Sequence, residues 1–500
     1  MRLKINKELS LPVYRQFIDG IKEQILSGTL PAGFVLPPER KLAAENDVSR
    51  TTVVRAYDEL KALGLVASYR GKGTVVTDKK EPSHRENPNV FPLSWYPLFE
   101  KKLENVSDTI TDLMDVGSRQ DTISFAAGVG APELYPINQL KIIQNDSACT
   151  SEVLNLSAVE GYYPLRESLS QLMERRGIST SAKEVMILSG SMQGIDFAAR
   201  TFLSPGDAVI VEEPTFLQAI QCFRAAGARI IGIPLDREGI RTDVLEAQLG
   251  RYKPKFIYTI PTFHNPTGIV MSLERRMELL RIAYKYQVPI LEDDPYSEIR
   301  FLPQKLPPLK ALDHYGYVIY LNTFSKVLFP GMRVGWVVAP APVRKKFTLL
   351  KQITDLHVNT PAQYVLDQFL REGHYEPHLE RELTIYEKKR NIMVSALKQA
   401  EGLVGFDVPD GGFYLWCRIP YTIPQKQLLS LCASKGVLYT PGSVFYPQES
   451  DGEHLLRLNF TYESRERIEK GISIFIEAVK KLSKHNTKMD SIIEEYRPLV

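Results

Sequence analysis

Cysteine is scarce. The chain has four in 500 residues, at 149, 222, 417 and 432, and no two share a metal-ligand or disulfide-framework spacing. They read as reduced, partly buried thiols, not disulfides or zinc ligands, so no metal is expected. Long apolar runs are missing too: no stretch approaches a membrane span, and Met1-Arg-Leu-Lys-Ile-Asn6 has no apolar signal core. The expectation is a cytoplasmic chain with no membrane partner. There is no internal repeat and no low-complexity segment. Charge of neither sign dominates, at +3 net with 24 % charged and 44 % hydrophobic residues. What is left is globular composition on a chain too long for one ordinary domain, and two to four are expected.

The first eighty residues are more basic than the rest, with 14 basic and 9 acidic side chains, a net +5 against +3 for the whole chain. Apolar residues at helical spacing from Leu11 to Leu26 predict a first helix, closed by Gly28 to Gly33. Pro38 to Asn46 predicts a second, short one. Asp47-Val-Ser49 is a turn, and Ser49 can cap a third helix, Arg50 to Leu63, with Val53, Val54, Tyr57, Leu60 and Leu63 on its apolar face. Gly64 stops it. Leu65 to Thr77 is then a hairpin around a Gly-x-Gly tip. Helix, turn, helix, hairpin is a winged helix-turn-helix, whose third helix offers its start to the major groove of double-stranded DNA. Arg50 can read guanine bidentately, Ser49, Thr51 and Thr52 can hold phosphates or a thymine methyl, and Arg70 and Lys72 at the wing tip suit backbone or minor-groove contact.

The run Leu36-Pro-Pro-Glu-Arg-x-Leu-Ala, then Val48-Ser-Arg-x-Thr-Val, then Ala56-Tyr-x-x-Leu and Gly71-x-Gly-Thr resembles the GntR-family DNA-binding domain from Leu11 to Thr77. The resemblance implies DNA contacts at Arg40, Ser49, Arg50, Thr51, Thr52 and the wing, Gly71 to Gly73. A polar, proline-bearing tether follows, Thr77 to Asn89. Residues 92–114 form an amphipathic stretch fit to dock on something. The division expected is 1–78 winged helix-turn-helix, 79–119 linker, 120–485 large unit and 486–500 tail.

The large unit is organised around Asn322-Thr-Phe-Ser-Lys-Val-Leu-Phe-Pro-Gly-Met-Arg-Val-Gly-Trp336. Tyr317 to Leu321 and Val334 to Val338 read as buried strands, and a lysine squeezed between them is partly desolvated, which favours the neutral, nucleophilic amine. Thr323, Ser325 and Arg333 are the hydroxyls and forked cation a phosphate dianion wants. Pro330-Gly331 folds the loop so that Arg333 can return toward Lys326. An imine-forming lysine beside a phosphate cradle is what pyridoxal 5'-phosphate requires. From Val185 onward strands alternate with helical stretches at βαβ spacing, implying a mostly parallel sheet with helices on both faces.

The stretch around Lys326 resembles the Schiff-base motif of the class I aminotransferases, and further matches follow in that family's order from about residue 120 to 480. The fold implied is multidomain: the winged head plus an α/β aminotransferase-like unit of fold type I with large and small domains. The resemblance assigns phosphate contacts to Gly190, Ser191 and Met192, ring stacking to Phe216, and a donor to the phenolate oxygen to Asn265 in Asn265-Pro-Thr-Gly268. It assigns the ring-nitrogen carboxylate to Asp293, with Asp294 as the alternative, a phenol at the ring O3' to Tyr296, and the clamp for a ligand carboxylate to Arg457. Leu156 stands where the family commonly has a tyrosine that reaches the phosphate of the partner subunit, which leaves Tyr162 or Tyr163 as replacement, or a weaker grip. A GntR-type head on an aminotransferase-like unit resembles the MocR/GabR group of regulators. That resemblance implies a homodimer, an operator DNA, and pyridoxal 5'-phosphate or its aldimine with an amino acid or amine effector as the signal. The competing expectation is a working transaminase whose head only regulates its own operon.

Overall fold

The computed structural model describes residues 1, 3, 13–26, 29–69, 73–77, 121–145, 151–400, 402–448 and 451–495. It divides into two units, Met1–Glu100 and Lys101–Val500. Arg70 and Lys72 of the wing tip, the segment 92–114 and Cys149 lie outside the described residues.

In the first unit α1 (Val13–Leu26), α2 (Glu39–Glu45) and α3 (Arg50–Ala62) precede a hairpin of β1 (Val66–Tyr69) and β2 (Gly73–Val76). Each boundary has a local cause. Pro38, with φ −53°, sits just ahead of α2, where its missing N–H costs nothing. The Ser49 hydroxyl accepts from the Thr52 amide at 3.1 Å and so caps α3, and Gly64, at φ +64°, ends the helix in the left-handed region. Phe17, Ile21, Leu42, Val53, Ala56, Tyr57 and Leu60 form the buried core. The Tyr57 phenol donates to the Pro37 carbonyl at 2.7 Å, tying α3 to the entry of α2.

The second unit opens with β3 (Ile123–Ser124). Its large sheet contains β4 (Val185–Leu188), β5 (Ala208–Glu213), β6 (Arg229–Asp236), β7 (Gly239–Ile240), β8 (Ile257–Thr259), β9 (Ile290–Asp293), β10 (Val318–Thr323) and β11 (Gly335–Val338), in the spatial order β4-β11-β10-β9-β8-β5-β6-β7. From β10 through β6 the neighbours run parallel, while β11 lies antiparallel to both β4 and β10. Every residue of β4, β8, β9, β10 and β11 is buried. Their near-continuous apolar sequences are what a sheet covered on both faces requires. Ligand groups can therefore come only from strand ends and the turns beyond them. Helix α4 (Ser191–Phe202) starts three residues after the end of β4.

A smaller sheet combines β12 (Gly405–Phe406), β13 (Tyr414–Arg418), β15 (Thr440–Pro441) and β16 (Leu455–Asn459) in the order β12-β13-β16-β15, while β14 (Val437–Leu438) pairs with β3. Its register sets Tyr414 opposite Asn459, and Arg457 opposite both Trp416 and Thr440. Helix α5 (Arg465–Glu495) buries Ile468, Ile472, Phe475 and Val479 at helical spacing against this sheet, and it runs on past residue 485. Among the described residues no helix is long and apolar enough to cross a membrane, and no cluster of His, Cys, Asp or Glu could hold a metal ion.

Candidate functional site

Lys326 lies three residues beyond the end of β10, half-buried, and its amine donates to the Gly128 carbonyl. Burial pushes its ammonium below the ordinary lysine range, and the charges of Arg457 and Arg333 push the same way, against Tyr414 and Asp293. The neutral amine is favoured, as the sequence suggests.

Beside it a polar cluster assembles from three pieces. Pro330–Met332 forms one tight turn and Arg333 takes φ +52°, which turns its guanidinium back to within 3.3 Å of Ser325 Oγ and 3.2 Å of the Ser189 carbonyl. Gly190, at φ +78° and ψ 165°, is the N-cap of α4, whose first turn begins at Ser191 and Met192, and amides at such a helix start suit an anion. A Cβ on Gly190 would lie 2.6 Å from an Arg333 nitrogen. Thr323 stands behind Ser325: its hydroxyl donates to Ser325 Oγ at 3.0 Å and reaches the Val334 carbonyl at 3.1 Å.

The two neighbouring carboxylates differ in their partners, though each leaves its Oδ1 buried without a hydrogen bond. Asp294 accepts from the Tyr320 phenol at 2.7 Å and faces the Arg176 charge, within a buried structural network. Asp293, 2 % exposed, accepts from the Tyr258 phenol at 3.0 Å through Oδ2, while Oδ1 is buried without a partner. Burial pushes the Asp293 carboxyl up to about 7, against the pull of Tyr258 and Lys326. A carboxyl of that kind suits a cationic N–H donor such as a protonated pyridine. Phe216 caps a helix after β5 and is half-buried.

Arg457, 7 % exposed, donates to Asn265 Oδ1 at 2.9 Å, to the Ala126 carbonyl at 3.1 Å and to Thr440 Oγ1 at 3.2 Å. Its Nε is buried without a partner, and the guanidinium lies 4.1 Å from the ring centre of Tyr414 and 4.9 Å from that of Phe445. A cation so enclosed, with an N–H left over, invites a carboxylate. The Tyr296 hydroxyl is 3.1 Å from that of Tyr414. Lys326, Asp293, Tyr296, Arg333, Asn265 and Arg457 are thus linked by charge or hydrogen bonds across 192 positions of sequence from Asn265 to Arg457. Tyr258, Tyr414 and the Gly128 carbonyl are additions that the sequence reading misses. Strand-borne aromatics look like core, and only the β8–β9 and β13–β16 registers bring these two phenols to the site. Leu156 is 75 % exposed; the amide of Tyr162 is bound to Gln363, and Tyr163 is exposed at the surface.

On the head, Arg40, Ser49, Arg50 and Thr51 are exposed and Thr52 is half-buried. The Ser49 hydroxyl also meets those of Thr51 and Thr52, at 2.9 and 2.8 Å. Arg50 pairs with Glu39 at 3.3 Å. An exposed pair of this kind is weak, so the guanidinium is available for exchange onto a base edge.

Residues 130–475 match the family model "Aminotransferase class I and II", and residues 13–76 match "Bacterial regulatory proteins, gntR family". The chain is 33 % identical to the uncharacterized HTH-type transcriptional regulator YdfD of Bacillus subtilis, over 93 % of this chain and 96 % of that protein. It is 37 % identical to aromatic-amino-acid aminotransferase 1 of Thermococcus litoralis, over 76 % of this chain and 93 % of the relative. Its fold matches LysN, the alpha-aminoadipate aminotransferase of Thermus thermophilus crystallised with N-(5'-phosphopyridoxyl)-L-leucine, with a TM-score of 0.72 and 34 % identity, covering 78 % of this chain and all of that one. The orphaned Asp293 oxygen, the Gly190 cradle that a Cβ would fill and the desolvated amine of Lys326 fit pyridoxal 5'-phosphate, the cofactor this fold implies.

Proposed function

The chain belongs to the class I and II aminotransferases and carries a gntR-family regulatory head, and from that footing we propose that it is a pyridoxal-phosphate-dependent transcription regulator. Its head binds a double-stranded operator in the cytoplasm, as part of a homodimer. Its large unit takes an amino acid or amine as effector. The observation that carries this reading is the joining, in one chain, of a capped recognition helix with exposed basic side chains and a site whose buried cation has an N–H to spare. A DNA-binding head has no role in bulk metabolism. Similarity to a helix-turn-helix regulator over 93 % of the chain supports the same choice.

Pyridoxal phosphate, when bound, supplies an aldehyde for amines and a ring that draws electrons from the carbon next to the captured nitrogen. The chain's own groups do the rest. Lys326 offers a neutral amine and moves a proton at Nζ. Gly190, Ser191, Met192, Ser325 and Arg333 would hold the phosphate, with Thr323 setting Ser325, and Phe216 would cover the ring. Asp293 would keep the ring nitrogen protonated, Tyr296 and Asn265 would hold the ring oxygen, and Arg457 would orient a carboxylate. The second reading, a working transaminase with an autoregulatory head, is favoured by the survival of every one of those polar groups and by the likeness to the Thermococcus enzyme.

The test is to titrate the pyridoxal-phosphate-loaded chain with a panel of amino acids and amines, following turnover by absorbance and binding to DNA from upstream of its own gene by anisotropy. An effector that shifts DNA affinity without sustained turnover supports the regulator. Fast turnover with unchanged DNA affinity supports the enzyme instead.

A further inference from the structure

Tyr414 is 3 % exposed, and the β13–β16 register sets it diagonal to Arg457 on one face of the small sheet. Its ring lies under the Arg457 guanidinium and its hydroxyl 3.1 Å from that of Tyr296. The position a Cβ on Gly128 would occupy is 3.7 Å from the Tyr414 hydroxyl and 4.0 Å from Lys326 Nζ, so the two polar groups close on one residue, whose carbonyl already accepts from the lysine. A phenylalanine would pack against Arg457 equally well. The hydroxyl is therefore the part that packing leaves unexplained.

Its surroundings give it a use. The charged or titratable groups facing Tyr414 are Arg457, Lys326 and Tyr296, and those facing Lys326 are Tyr414, Arg457, Asp293 and Arg333. Burial works to raise the Tyr414 phenol, yet Arg457, Lys326 and the hydrogen bond from Tyr296 carry it below the ordinary range; burial and Tyr414 hold Tyr296 well above. Of the two linked phenols, Tyr414 is the one whose neighbours favour the phenolate.

We propose that Tyr414 is a positioning residue that holds one proton in common with Lys326, as neutral phenol with neutral amine or as phenolate with ammonium. It rests on the reading of Lys326 as the residue that captures pyridoxal phosphate. The proton is conserved between the two arrangements. Only the first exposes the amine lone pair that adds to an aldehyde, with water leaving. In the phenolate form the amine is protonated and cannot add until its proton returns to the phenolate, and Arg457, stacked on the same ring, links that balance to a ligand carboxylate. The two groups titrate as a pair, not singly.

The test uses the full-length chain freed of cofactor. Pyridoxal phosphate is captured with borohydride across a pH series, and the modified Lys326 peptide is counted by mass spectrometry in the wild type, Tyr414→Phe and Lys326→Ala. Removing the phenolate removes the anion that favours the ammonium, so half-maximal capture in Tyr414→Phe moves down by about one pH unit. Ultraviolet titration of the cofactor-free wild type shows one phenol ionising below the ordinary tyrosine range, and Tyr414→Phe lacks it. An unmoved capture profile at Lys326 overturns the inference and leaves the lysine assignment standing. No capture at Lys326 in the wild type overturns that assignment itself. Should Tyr414→Phe fail to fold, the wild-type titration decides alone: without an early phenol the proposal is dead.

Discussion

Lys326 and Asp293 are both ionisable groups in low-dielectric surroundings, and each shifts toward its neutral form. For the lysine that means a nucleophile; Lys326→Ala should abolish the lysine-linked absorbance of added pyridoxal phosphate with the fold intact, and a borohydride-reducible adduct surviving in that variant would contradict the assignment. For the aspartate it means strain held for a ligand. Its folded-state value, about 7, lies above the unfolded reference of about 3.9. The folded chain thus binds this proton more tightly, and the associated stability, present below the unfolded value, is lost as pH rises toward 7. Asp293→Asn removes that loss. The cofactor-free variant should be more stable than wild type at pH 8 by about 2–4 kcal/mol, with the gain vanishing near pH 4, while its hold on pyridoxal phosphate weakens. Chemical denaturation at the two pH values reads this directly, and equal stabilities at pH 8 would refute it. In sequence Asp293 and Asp294 are indistinguishable strand-end carboxylates. They part only because Tyr258 comes from β8 and Tyr320 from β10, partners far apart along the chain.

Elements whose ends carry their own chemistry were legible in advance. Ser49 before α3, Pro-Gly before Arg333 and the small-residue turn between β4 and α4 are local signals, and each does locally what its residues dictate. Tyr414 and Thr440 were not, because their roles depend on which residue of β16 lies across from them, and strand register is a long-range fact. The β4–α4 turn gives a sharp test. Gly190 sits at a φ and ψ open essentially to glycine alone, and a Cβ there would drive into Arg333. Gly190→Ala should therefore weaken pyridoxal phosphate at least tenfold, about 1.4 kcal/mol, by equilibrium dialysis; an unchanged Kd would remove the turn from the phosphate site. On the head, Arg50→Ala should cost about 1–3 kcal/mol of specific DNA binding, and an unaltered footprint would sink its placement at a base edge.

At the scale of the whole molecule, the proposal is that one unit's ligand changes what the other unit does. A ligand can shift an equilibrium only by its differential affinity for the two states. Arg457, whose buried Nε lacks a partner, is the group whose loss should uncouple them. Replacing it with alanine removes one charge that lowers the Lys326 ammonium but keeps the lysine itself, the phosphate cluster and the head, so pyridoxal phosphate should still bind and DNA affinity without effector should stay near wild type. Effector affinity should fall at least tenfold, because a charge-assisted bidentate pair is lost. The decisive measurement is operator binding by anisotropy, with and without a panel of amino acids, in wild type and Arg457→Ala. The result expected is an amino acid that shifts DNA affinity in the wild type and not in the variant; a wild type whose DNA affinity responds to neither amino compound nor pyridoxal phosphate would contradict the regulator reading.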